Sequence, residues 1–60
     1  MRTVERINRK TPNGGAYSEI HYLDDNKRAC DKAHATVVRI RECKTDGTLV
    51  QETYGRVGRR

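Results

Sequence analysis

The clearest structural signal in the chain is ATVVRIRECKTDGTLVQETYGRV, residues 35–57. Apolar and polar residues alternate on both sides of an Asp-Gly pair at positions 46 and 47, a pattern typical of two half-buried strands joined by a tight turn. The sequence therefore predicts a β-hairpin. Its strands are expected to run from about Ala35 to Cys43 and from about Leu49 to Val57.

Two turn geometries fit this hairpin, and they give different registers. A two-residue loop would pair Thr45 with Thr48, whereas a type I turn with Gly47 as a left-handed bulge residue would pair Lys44 with Thr48. We predict the second, because only that register gathers apolar side chains on one face. The predicted buried face comprises Val38, Ile40, Val50 and Tyr54, with Val38 opposite Tyr54 and Glu42 opposite Val50. The predicted outer face comprises Arg39, Arg41, Gln51 and Thr53, beside a Cys43–Leu49 pair.

One more strand and one helical turn are predicted upstream of the hairpin. Residues 16–23 alternate as a strand would, and Ile20 and Tyr22 are expected to join the buried face. Asp31 can accept a free backbone N–H at the start of a helix, so one helical turn is predicted near Asp31-His34.

The first 15 residues allow more than one structure. Val4 and Ile7 are three positions apart, which suits a helical turn better than a regular strand, yet a bulged edge strand or a frayed arm fits equally well. TPNGG at positions 11–15 then predicts a turn or hinge. The chain is expected to be a single small domain, 1–60, of mainly β to α+β class, with an antiparallel sheet of three or four strands. In it, residues 1–15 form a flexible arm or edge element and residues 58–60 a disordered tail.

Composition narrows the classes of partner. The 60 residues include 13 Lys and Arg against 8 Asp and Glu, a net charge of +5, which favours acidic partners. Leu, Ile and Val together number ten, and Phe and Trp are absent. So thin a core predicts completion by a second copy or a partner. No apolar run is long enough to span a membrane and the start lacks a signal-peptide pattern, so we expect a cytoplasmic protein that does not bind membranes.

Catalytic and metal chemistry have weak support in the sequence. Cys30 and His34 are one helical turn apart, and His21 and Cys43 could complete a tetrahedral zinc site, but zinc modules usually show two tight ligand pairs. No phosphate-binding loop or nucleophile–base spacing is recognisable. We expect two reduced cysteines, no cofactor, no metal, no small-molecule substrate and no enzymatic activity.

The sequence therefore predicts a small non-enzymatic protein-interaction module, either a homodimer or part of a larger complex. The alternative is a basic nucleic-acid-binding module that uses Arg39 and Arg41, which would project from one face of a strand. The candidate contact residues for either partner are Arg39, Arg41, Gln51, Leu49 and Arg56.

Overall fold

A computed structural model describes residues 2–57 of the chain. Four strands form one antiparallel sheet in the order β1-β2-β3-β4, which confirms the predicted fold class. The strands are β1 (Val4–Ile7), β2 (Tyr17–Leu23), β3 (Val37–Cys43) and β4 (Leu49–Arg56), and a single 3-10 turn covers Lys32–His34. The predicted tail at 58–60 lies outside the described residues.

The turn between β3 and β4 has the predicted bulged geometry. Gly47 has a φ of +91°, in the region that favours glycine. The Lys44 amide donates to the Thr48 carbonyl at 2.8 Å, and the Gly47 amide donates to the Lys44 carbonyl at 2.8 Å. Asp46 adds a local bond, because its Oδ1 accepts from the Thr48 amide at 2.9 Å.

The predicted register is wrong beyond this turn. Cys43 lies opposite Leu49 as expected, but Glu42 lies opposite Gln51, so Val50 is an extra residue in a second bulge. Every later pair is displaced by one residue, and displacement by one moves a side chain to the opposite face. Val38 therefore faces Gly55 and not Tyr54. Tyr54 lies opposite Arg39, while Gln51 and Thr53 share the face of Val38 and Ile40.

The predicted buried face is also wrong in most of its members, although Tyr22 is buried as expected. The buried apolar residues are Tyr22, Leu23, Ala35, Val37 and Cys43, whereas Tyr54 is 51% exposed. Leu23 and Val37, which were expected outside the core, are buried where the chain crosses from β2 to β3. There Leu23 bridges to Ala29, and the Thr36 amide donates to the Leu23 carbonyl at 3.0 Å. The connection between β2 and β3 covers this end of the sheet, and strand periodicity does not predict the burial that results.

The ambiguous N-terminal segment is an edge strand. Val4 pairs with His21 and Ile7 pairs with Ser18, so these two apolar residues point to opposite faces of the sheet. The predicted helical turn is confirmed as a 3-10 turn with Asp31 as its N-cap. Asp31 also accepts from the Arg2 amide at 2.8 Å, which ties the start of the chain to this turn.

The sheet is a single layer within residues 2–57, because no helix or second sheet covers either side. Pairing across the four strands assigns each side chain to a face. We call one side the aliphatic face, defined by Ile7, Ile20, Val38 and Ile40. We call the other side the charged face, defined by Arg6, Glu19, His21, Arg39, Arg41, Glu52 and Tyr54.

Candidate protein-interaction surface

The aliphatic face has an apolar centre. Ile20 of β2 lies directly opposite Ile40 of β3, and Tyr22 lies opposite Val38. On β1, Ile7 is 43% exposed. On β4, this face carries only small or polar positions, Thr53 beside Ile40 and Gly55 beside Val38. The result is an apolar strip that runs across β1, β2 and β3 and ends at small or polar side chains on β4.

A cluster of polar contacts borders the aliphatic face near the start of β1. The Tyr22 hydroxyl donates to Glu5, and Glu5 also lies 3.2 Å from the Lys32 ammonium and 2.9 Å from the Arg2 guanidinium. The bond from Tyr22, together with Lys32 and Arg2, lowers the pKa of Glu5 to about 2. The same bond raises the pKa of Tyr22, because the phenol must lose a proton that it donates to a carboxylate.

A second polar border lies at the opposite end of this face. The Asn13 amide donates to Gln51 Oε1 at 2.5 Å and to Glu42 Oε1 at 3.2 Å. These bonds link the β1–β2 connection to β3 and β4. An apolar centre with a polar rim is the usual anatomy of a protein-binding surface.

Charges alternate in sign across the charged face. Arg6, Glu19, Arg41 and Glu52 occupy one row, each opposite the next on a neighbouring strand. Arg41 Nε lies 3.2 Å from Glu52 Oε2, although its N–H is not aligned for a hydrogen bond. Opposite charges on facing strands stabilise a sheet, so this row balances its charge internally.

Arg39 lies in the neighbouring row and has a different environment. Its Nε is buried and makes no hydrogen bond within the part of the chain that the structure describes. The guanidinium carbon lies 5.7 Å from the centre of the Tyr54 ring, and the Lys27 ammonium lies 5.0 Å from the same ring. Tyr54 therefore has two cations near its ring.

The five candidate contact residues do not form one group. Arg39, Arg41 and Arg56 share the charged face, and Leu49, 43% exposed, lies at its turn end opposite Cys43. Gln51 lies on the aliphatic face, because Val50 occupies the bulge. Ile7 and Ile20 were not selected from the sequence, although the spacing of Ile20 and Tyr22 in β2 already placed them on one face.

The four candidate zinc ligands are not brought together. His21 and Cys43 lie opposite Arg39 and Tyr17, four positions apart along the sheet, or about 13 Å. No group of three or more His, Cys, Asp or Glu side chains suited to a metal occurs among residues 2–57. Cys30 and Cys43 are free thiols. Burial raises the pKa of the Cys30 thiol, with nearby Asp24 and Asp31 adding to the effect.

An open depression of about 400 Å³ lies beside β4, lined by Asp25, Lys27, Val37, Tyr54, Gly55 and Arg56. Its charged groups already face each other, because Arg56 Nη1 lies 3.9 Å from Asp25 Oδ1. The Asp25 carboxylate also accepts from the Thr36 hydroxyl at 2.6 Å. The lining includes no cysteine, serine or histidine that could act as a nucleophile or base.

Comparison with known proteins gives no relative for this chain. No protein-family model, no curated protein and no solved structure matches it. Within residues 2–57, the structure has no helix with the length and apolar character needed to cross a membrane.

Proposed function

We propose that the protein is a non-enzymatic protein-interaction module that assembles with a second copy of itself through the aliphatic face. The observation that supports this function is the aliphatic strip on a single-layer sheet, in which Ile7 is exposed and Ile20, Val38 and Ile40 are half-buried. A sheet with an apolar face gains stability by packing that face against another element. Since residues 2–57 offer no such element, a second sheet supplies it.

Two copies can meet as the layers of a β-sandwich, in which inner faces interdigitate about 10 Å apart. The strands have 4, 7, 7 and 8 residues. At about 3.3 Å per residue and about 4.8 Å between strands, they give a projected face of about 410 Å². Stable protein interfaces bury about 800 Å² per partner. The face contact alone therefore gives a weak dimer that forms as the protein concentration rises.

The nucleic-acid alternative has less structural support. Arg41 pairs with Glu52, and Glu19 lies opposite it on the other side, so the row expected to meet phosphates carries balanced charge. The net charge of +5 remains the argument in its favour. Steeply salt-dependent retention on DNA or RNA, weakened by Arg39→Ala with Arg41→Ala, would favour the alternative over self-association.

We also propose a cytoplasmic location. Cys30 and Cys43 are free thiols, and thiols remain reduced in the cytosol.

The chain contains a matched pair of positions that tests the aliphatic face. Ile7 is 43% exposed and Val4 is 44% exposed, and the two lie on opposite faces of β1. We expect Ile7→Lys to reduce the concentration-dependent rise in mass, because it places a charge on the apolar strip. Val4→Lys should leave that rise unchanged. Sedimentation equilibrium of both variants measures the difference, and equal behaviour of the two would contradict assembly through the aliphatic face.

A further inference from the structure

β4 forms one edge of the sheet and is open to pairing. It has eight residues, whereas β1 at the other edge has four. Its residues are almost all exposed, and it contains no Pro or Lys. The bulge at Val50 interrupts the edge near the turn, but the segment 51–56 pairs regularly with β3. A regular edge with no neighbour on its outer side is a template for another strand.

The backbone groups that face outward on β4 follow from its hydrogen bonds to β3. The Val57 amide donates inward to the Thr36 carbonyl at 3.1 Å. Inward and outward residues alternate along an antiparallel strand, so Glu52, Tyr54 and Arg56 present their N–H and C=O groups outward.

We infer that β4 pairs antiparallel with β4 of a second copy, with Tyr54 on the two-fold axis, so that two sheets join into one of eight strands. In this register Glu52 of each chain lies opposite Arg56 of the other. Both side chains lie on the charged face, where directly opposed residues are in contact. Glu52, which already pairs with Arg41, and Arg56, which lies 3.9 Å from Asp25, each gain a further partner of opposite charge across the edge. Tyr54 meets its own copy, and the contact is the same from both sides, as a two-fold interface requires.

Neighbouring registers lose this complementarity. Centring the pairing on Glu52 sets two carboxylates opposite each other, and centring it on Arg56 sets two guanidinium groups opposite each other. Centring on Thr53 or Gly55 moves Glu52 and Arg56 out of opposition. Like charges directly opposed destabilise a sheet, so charge selects the Tyr54-centred register.

This edge contact is separate from the aliphatic-face contact and goes beyond it. Joining the edges makes the aliphatic faces of two copies continuous, which doubles the projected face to about 820 Å². The joined face reaches the size of a standard interface. Edge pairing thus strengthens a face contact that is weak in a single sheet.

Charge reversal tests the edge contact. Glu52→Arg makes both opposed pairs positive, and Arg56→Glu makes both negative, so we expect each variant alone to lose edge pairing. An equimolar mixture should form a heterodimer, because each opposed pair across the edge then joins one positive and one negative side chain. Native mass spectrometry of the single variants and of the mixture, each combined with Ile7→Lys to remove the face contact, reads out the result. Homodimers of either variant as abundant as those of Ile7→Lys alone, or a mixture without heterodimer, would overturn the proposal.

A second measurement covers the case in which Glu52→Arg fails to fold after losing its ion pair with Arg41. In the wild-type chain, the amides of Glu52, Tyr54 and Arg56 should become protected from hydrogen exchange as protein concentration rises, because those amides become bonded across the edge. Exchange rates that do not change with concentration would overturn the edge contact. If Ile7→Lys loses assembly while the charge-reversal variants assemble as the wild type does, the face contact is supported and the edge contact is ruled out. If the charge-reversal variants lose assembly while Ile7→Lys does not, the edge contact is supported and the face contact is ruled out.

Discussion

Gly15 shows how one residue fixes the first turn of the sheet. A Cβ at this position would lie 2.6 Å from Thr11 Oγ1 and 3.2 Å from the Cys43 carbonyl oxygen. The Thr11 hydroxyl cannot easily move away, because it accepts a hydrogen bond from the Gly15 amide at 2.8 Å. The close approach holds the β1–β2 connection against the end of β3.

We expect Gly15→Ala to lower the free energy of unfolding by about 1–3 kcal/mol, as overpacking of a tight site does. Gly55→Ala is the matched control, since its Cβ would meet only Val38 Cγ2 at an ordinary 3.7 Å. Urea unfolding of both variants measures the change. A loss of stability in Gly55→Ala as large as that in Gly15→Ala would contradict the account of this turn.

Glu5 gives a prediction for pH. Its folded pKa of about 2 lies below the ordinary value of 4.5, so the Tyr22, Lys32 and Arg2 contacts stabilise the fold fully above about pH 4.5. That contribution is lost as the pH falls towards 2, because the unfolded chain binds the proton first. Tyr22→Phe removes the largest contribution to the shift and should move the pKa of Glu5 towards its ordinary value. NMR titration of the Glu5 side chain checks this, and an ordinary pKa in the wild-type chain would contradict it.

In the β3–β4 hairpin, the local sequence encodes the turn but not the register of the two strands. The turn followed from Asp46 and Gly47, because left-handed geometry at Gly47 and the Asp46 side-chain bond are local preferences. The bulge at Val50 was not predictable from alternation, since an extra residue leaves no signature in the pattern of apolar positions. That single residue moved Tyr54 and Gln51 to the faces opposite those predicted.

Deletion variants test this register. Removing Val50 should leave every other β3–β4 pair in place, because Val50 is the unpaired residue between Leu49 and Gln51. Removing Thr53 should destabilise the fold, because it moves Tyr54 to the position opposite Ile40 and displaces the residues after it. Thermal unfolding of the two deletion variants measures the contrast. Greater damage from loss of Val50 than from loss of Thr53 would contradict the observed register.

The connection between β2 and β3 shows a second limit of the sequence. The N-cap at Asp31 was predictable from its short acceptor side chain. The burial of Leu23, Ala35 and Val37 was not, because it depends on where residues 24–36 cross the end of the sheet. The prediction of buried residues from strand alternation was wrong here, because burial at this end of the sheet depends on the path of residues 24–36.

For the whole molecule, the thin core and the open sheet have the same consequence. A domain of this size buries only about 60% of its unfolded surface, so it has little stability to spare. The single layer leaves the aliphatic face uncovered within the described residues, and the β4 edge has no neighbour there. The proposed assembly would cover surface that the chain itself does not, and mass action would then stabilise the folded state.

The sequence partly predicted which residues share the aliphatic face. It did not predict that this face is the proposed site of self-association. Ile20 and Tyr22 were expected to lie beside Val38 and Ile40, which the β2–β3 register confirms. The sequence also indicated an incomplete core that another chain would complete. The surface that we propose for this completion follows from strand order and from the absence of a covering layer in residues 2–57, both of which are tertiary properties.

Sedimentation equilibrium of the wild-type chain across a wide range of concentrations tests self-association most directly. The monomer mass is 6.9 kDa. We predict a weight-average mass near this value in dilute solution that rises to at least twice it as concentration increases. A well-folded chain that stays at the monomer mass at every concentration would contradict the proposed function.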